Sequence, residues 1–161
     1  MEWSEVMEMK CLEDIPFKIE LNEWGNIVMS PATNRHGFFQ GAIVNLLNER
    51  KADGAVFPEC SIETSKGVKV ADVIWGSTRF FKEHQLETPY IVAPELCVEI
   101  RSPSNAMGEL IEKKDLYLAK GAREFWICDH EGSVLFYGHA GLMESSTLFP
   151  GFPAKIAVDV I

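Results

Sequence analysis

The stretch ELCVEIRSPS, from Glu95 to Ser104, puts a carboxylate on a strand whose other residues belong in a sheet interior. At a period of two, Leu96, Val98 and Ile100 share one face and Cys97, Glu99 and Arg101 the other. Burying an unpaired carboxylate costs several kcal/mol or shifts its pKa until it is neutral, so Glu99 needs a partner.

Asp72 repeats the problem. In VKVADVIWG it is surrounded by Val68, Val70, Val73, Ile74 and Trp75, again in a stretch with core character. Adjacent strands lie less than about 5 Å apart, so pairing of these two strands sets the carboxylates face to face. Two close carboxylates repel unless one takes a proton or a cation lies between them. Mg²⁺ suits such a place, because it takes oxygen ligands and keeps several waters. The next helix carries Lys113 and Lys114, and a nearby lysine can orient an attacking water or stabilise charge on a phosphate. The same residues also fit a plainer arrangement, with Asp72 in a turn and Glu99 in a buried ion pair with Arg101 or Lys113.

The order of elements points to an α/β fold with a mixed sheet flanked by helices. IPFKIELNEWGNIVMS reads as two short strands joined around Trp24, Gly25 and Asn26. A helix follows, capped by Thr33 or Asn34, with Phe39, Ile43, Leu46 and Leu47 at roughly helical spacing. GAVFPECSIETS and GVKVADVIWGS are strands split by a turn at Ser65 to Gly67, with Pro58 marking an edge or a bulge. STRFFKEHQ is a short helix capped by Ser77. After the Glu99 strand, SNAMGELIEKKDLYLAKG is a helix with Ser104 or Asn105 as cap. Its apolar arc is Leu110, Ile111, Tyr117 and Leu118, and Gly121 stops it. REFWICD and SVLFYGH then pair as strands. From His36 onward the core order is helix, three strands, helix, strand, and residues 1–161 read as a single domain.

Composition narrows the function classes. No apolar run approaches the roughly 20 residues of a membrane span, and the opening MEWSEVMEMK does not read as a secretory signal, so a cytoplasmic protein is expected. Cys11, Cys60, Cys97 and Cys128 are too scattered for a zinc or redox pair and read as reduced thiols. His36, His84, His130 and His139 form no helical zinc-binding pair. A net charge of −9 weighs against casual nucleic-acid binding. Any basic strip must therefore be local, from Arg101 with Lys113, Lys114 and Lys120, or from Lys66 with Lys69.

The stretch APELCVEIRSPSNAMGELIEKKDLYLAKGAREFWICD closely resembles the signature of a large family of small bacterial putative restriction endonucleases, which have the PD-(D/E)xK nuclease fold. The matching features are the VEI strand, the SPS after it, EK with a tyrosine four residues beyond the lysine, the KG turn and EFWICD. GNIVMSPATNRHGFFQGAIVNLL resembles the family's first hairpin and helix, and VADVIW its first acidic strand. The resemblance covers the chain from Ile19 to Phe152.

It implies a restriction-endonuclease-like sheet of core order α-β-β-β-α-β, with Asp72 and Glu99 binding Mg²⁺ or Mn²⁺ and the backbone carbonyl of Ile100 completing the ligand set. Lys113 takes the part of the catalytic lysine, which the parent motif places where this chain has Arg101. The Tyr117 register selects Lys113, while helical projection offers Lys114 as its rival. Ala71 stands where the motif prefers proline. The first helix has no acid between Arg35 and Asn48, which leaves His36 or Gln40 to assist the metal, and Glu20 of the hairpin is a further candidate. Arg101 is placed to contact phosphate or to neutralise Glu99.

The reading is a metal-dependent endonuclease acting on DNA, as a homodimer because symmetric cutting of duplex needs two sites. The alternative is a catalytically inactive nuclease-like binding or regulatory module whose acids and bases form a structural cluster. Phe149 and Phe152, around FPGFP, are candidates for an interface or for a strand packed on the core.

Overall fold

The computed structural model describes residues 1–158. Helix α1 (Trp3–Met7) leads into a hairpin of β1 (Phe17–Leu21) and β2 (Ile27–Pro31), which among the described residues pair with each other and with no other strand. Then come α2 (Asn34–Arg50), β3 (Ala55–Thr64), β4 (Gly67–Gly76), α3 (Thr78–His84), β5 (Leu96–Ile100), α4 (Met107–Ala119), β6 (Glu124–Cys128), β7 (Val134–Gly138) and β8 (Gly141–Met143). Strands β3 to β8 form a six-stranded sheet in chain order. All neighbours are antiparallel except β5 and β6, whose parallel pairing requires the crossover through α4. The expected helix, three strands, helix, strand order is present, extended by β7 and β8.

Every residue of β5 and of β6 is buried, as expected of central strands covered on both faces. Alternation splits them between two cores. Leu96, Val98, Ile100, Trp126 and Cys128 meet Phe39, Ile43 and Leu47 of α2, whereas Cys97, Phe125 and Ile127 meet Leu110 and Tyr117 of α4. Each such side chain contributes about 1.5–3 kcal/mol when fully buried.

Phe149 and Phe152 pack on the core, as one of the two expectations had it, but outside any strand. Both are buried in the first core, where Phe149 packs edge-on against Trp75 and Phe152 lies 4.6 Å from the Trp126 ring. Glu124 fixes the segment that brings them there. Its buried carboxylate accepts from Trp126 Nε1, Ser146 Oγ and the Thr147 and Leu148 amides at 2.7–2.9 Å.

Helix ends follow local chemistry. Thr33 Oγ1 accepts from the His36 amide at 3.1 Å and Ser77 Oγ from the Phe80 amide, both as expected. At α4 the expected cap is absent. The Asn105 carboxamide oxygen accepts instead from the Ser102 amide and hydroxyl, closing a turn across Pro103, and Ala106 occupies the cap position without a side-chain bond. Gly121, at φ +110°, ends the helix as expected. The four cysteines are free, and all but Cys11 are buried.

The hairpin is held against the sheet at its far end. Leu21 packs with Trp3, Val6, Val68 and Val70 in a small third core. The β3–β4 turn presses so closely on it that a Cβ at Gly67 would stand 2.2 Å from the Leu21 carbonyl. Lys18 and Glu20, two residues apart on β1, thereby come to the end of the β4–β5 ladder that carries Asp72 and Glu99.

Candidate metal and active site

Asp72 and Glu99 lie opposite each other on β4 and β5. The ladder pairs Val73 with Val98, and one step further the two acids face one another. Strand pairing is interrupted on the other side of Asp72 as well. Glu59 of β3, opposite it, has φ +57°, and the β3–β4 register skips this pair. The distortion next to Pro58 on this edge strand frees the Asp72 carbonyl, which accepts from Gln40 Nε2 at 2.8 Å, while the same nitrogen reaches Glu59 Oε1 at 2.7 Å.

Both carboxylates are almost completely buried, at 1% and 2% exposure, and neither lacks a partner. Lys18 Nζ bridges them, 3.0 Å from Asp72 Oδ1 and 3.0 Å from Glu99 Oε2. Asp72 also accepts from the Ile100 amide at 2.7 Å and lies 3.2 Å from His36 Nε2. Glu99 Oε1 accepts from the Tyr117 hydroxyl at 3.0 Å and from Lys113 Nζ at 3.3 Å, and Lys113 is also bound to Glu20 at 2.6 Å. The site opens on a cleft of about 360 Å³ between the hairpin, α2 and α4, rimmed by Ser30, Ser102 and Asn105.

The two acids differ in their protonation. Burial pushes Asp72 up, but Lys18, His36 and the Ile100 amide together outweigh it and hold the carboxyl below its ordinary value. For Glu99 burial wins over Lys113 and Lys18, with Asp72 and Glu20 adding repulsion, and its pKa is pushed up to about 7. Burial also opposes the charge on Lys18, yet Asp72, Glu99 and Glu20 hold it well above the ordinary lysine value. His36 is raised by its bond to Asp72.

A consequence is measurable without any ligand. The folded chain holds the Glu99 proton more tightly than the unfolded chain, so this group's contribution to stability is complete below its ordinary value of 4.5 and is lost as pH rises through about 7. Urea unfolding in EDTA is expected to show a loss of about 3 kcal/mol from this group between pH 4.5 and about pH 8. Glu99→Gln removes the larger part of that slope, with His36 accounting for a remainder at the upper end. An unchanged slope in the variant contradicts the assignment.

Of the residues singled out from sequence, Asp72, Glu99, Ile100, Lys113, His36, Gln40 and Glu20 converge here. Arg101 and Lys114 do not. Arg101 donates to the Asn105 carbonyl at 3.3 Å, bracing the turn before α4, and makes no bond to Glu99. Lys114 lies 3.3 Å from Asp115 and 5.3 Å above the Tyr137 ring, on a different side of the helix from Lys113. Of the plainer pairings for Glu99, the one with Lys113 is formed at 3.3 Å, and Lys113 shares its ammonium with Glu20. Lys18 and the Tyr117 hydroxyl were not foreseen as members. The signal for Lys18 was its spacing from Glu20 between Phe17, Ile19 and Leu21, which gives β1 one charged face.

The donor set suits a divalent cation. Two carboxylate oxygens converge on a single cationic nitrogen, and hard oxygen ligands with room for water are what Mg²⁺ or Mn²⁺ takes. Among the described residues no group of three or more His, Cys, Asp and Glu converges as a metal-binding cluster. The protein therefore offers a pair of carboxylates to such an ion, not a closed cage.

The chain is similar in fold to a solved structure from Anabaena variabilis ATCC 29413, described as a putative nuclease belonging to DUF820. The TM-score is 0.68 and identity 19%, over 86% of this chain and 79% of that one. No curated protein matches the chain. The model of the family Uma2, described as "Putative restriction endonuclease", matches residues 3–149. With that match spanning both acidic strands, the hairpin and α4, the chain belongs to the Uma2 family.

Proposed function

We propose that the chain is a metal-dependent endonuclease that hydrolyses phosphodiester bonds of DNA. The observation that carries this reading is the buried Asp72–Glu99 pair converging on one cation position, with Lys113 beside it at the floor of an open cleft. Asp72, Glu99 and the Ile100 carbonyl are the groups that hold Mg²⁺ or Mn²⁺. A cation bound there supplies Lewis-acid charge for phosphate oxygens and acidifies water.

The chain's own residues do the rest. His36 and the Ile100 amide orient Asp72, and Tyr117 orients Glu99. Lys113, already 3.3 Å from Glu99, presents an ammonium that orients the attacking water and stabilises the charge gathering on phosphate. A homodimer supplies the second site that cutting both strands requires.

The direct test is incubation of supercoiled plasmid with the purified chain. Nicking is expected with Mg²⁺ or Mn²⁺ and none in EDTA. Lys113→Ala is expected to slow nicking about a hundredfold with the fold retained. Lack of cleavage of plasmid, single-stranded, branched and RNA substrates overturns the reading. A net charge of −9, and a lysine already bridging the acids, favour in that case a nuclease-like module that binds without cutting.

A further inference from the structure

Lys18 comes from the hairpin, not from the sheet that carries the acids. It lies 54 residues before Asp72 and 81 before Glu99 in the chain. Its ammonium is 3.0 Å from one oxygen of each carboxylate and 3.6 Å from Glu20. The other oxygens are committed elsewhere: that of Asp72 to the Ile100 amide, that of Glu99 to Tyr117 and Lys113. A divalent ion taking one oxygen from each acid, at about 2.0–2.1 Å for Mg²⁺, claims the ground that Lys18 holds. Two cations at that separation repel strongly in a partly buried site.

We infer that Lys18 is a tethered counter-cation that a divalent metal must displace, so that this hairpin residue sets the metal affinity of the site. The inference rests on the reading that Asp72 and Glu99 hold the metal. Without metal, Lys18 and Lys113 are the ammonium groups that offset the charge of Asp72, Glu99 and Glu20. Without Lys18, three carboxylates face Lys113 with only His36 in support. Lys18 lines the open cleft, which gives its side chain room to withdraw. Strands β1 and β2 pair with no strand of the main sheet, so its departure breaks no strand ladder.

The test is Mn²⁺ titration of the full chain, followed by the electron paramagnetic resonance signal of free Mn²⁺, together with thermal melts in EDTA and in Mn²⁺. Lys18→Met is expected to bind Mn²⁺ about tenfold tighter than wild type. It should melt lower than wild type in EDTA and gain more from Mn²⁺. Lys18→Gln keeps a donor for both acids and provides the same comparison if the methionine variant does not fold in EDTA; it too is expected to bind tighter. If wild type binds Mn²⁺ and Glu99→Gln does not, yet neither Lys18 variant binds tighter, the Lys18 inference falls and the metal reading stands. If neither wild type nor the Lys18 variants bind Mn²⁺, both fall together.

Discussion

Changing Glu99 to glutamine is expected to lower plasmid cleavage at least about a thousandfold while the chain stays folded. Glutamine has the same shape and keeps an oxygen to accept from the Tyr117 hydroxyl, but it removes half of the anionic charge offered to the cation. The fold has reason to tolerate the change. Burial pushes the Glu99 pKa up to about 7, so the metal-free fold opposes this charge and loses little when it is removed. The loss falls on metal binding and on the transition state, and hardly on stability. Nicking rates with circular dichroism as the folding control measure it, and a variant as active as wild type removes Glu99 from the mechanism.

Trp126→Ala is expected to cost about 4 kcal/mol. The indole is fully buried on β6, edge-on to Phe136 at 5.0 Å and to Phe149 at 6.1 Å, and 4.6 Å from Phe152. Alanine leaves a cavity among three rings, of which Phe136 is fixed on β7 and Phe149 and Phe152 belong to the segment after β8 that Glu124 holds, so none collapses freely into the space. It also takes the Nε1 donor from the buried Glu124 carboxylate. Against a total stability of about 5–15 kcal/mol for a domain, that is a large share. Urea unfolding at fixed pH measures the change; a loss below about 1.5 kcal/mol contradicts this account of the core.

The acids were legible in the sequence because strand periodicity is local. Glu99 and Asp72 each interrupt an apolar run, and once β4 and β5 are adjacent their facing positions follow from the ladder. Between Lys113 and Lys114 the resemblance, through its Tyr117 register, pointed to Lys113 and helical projection to Lys114; in the structure Lys113 reaches Glu99 while Lys114 lies over the Tyr137 ring. Lys18 was not legible as a bridge, because its contacts depend on where a separate hairpin docks against the sheet. That docking is set by Leu21 and the close approach at Gly67, which no local pattern reports. Arg101 fails to pair with Glu99 for the opposite reason. Alternation puts it on the Glu99 face, but the strand ends at Ile100, and beyond that point a turn directs the guanidinium to Asn105. The same turn uses Asn105 internally and denies α4 the cap that its residue type suggested. Phe149 and Phe152 were open to an interface or to a strand packed on the core because a proline-rich segment carries no period. The bonds of Glu124 to the backbone of Thr147 and Leu148 bring that segment onto the core.

A divalent cation held by Asp72 and Glu99 together takes, on the proposed function, the place now bridged by Lys18. Crystals of the chain grown with Mn²⁺, measured at a wavelength where manganese scatters anomalously, test it most directly. The expected result is an anomalous peak within bonding distance of one oxygen from each carboxylate, with the Lys18 ammonium moved away from both. Crystals that show Lys18 still bridging the two acids at saturating Mn²⁺, with no peak between them, contradict it.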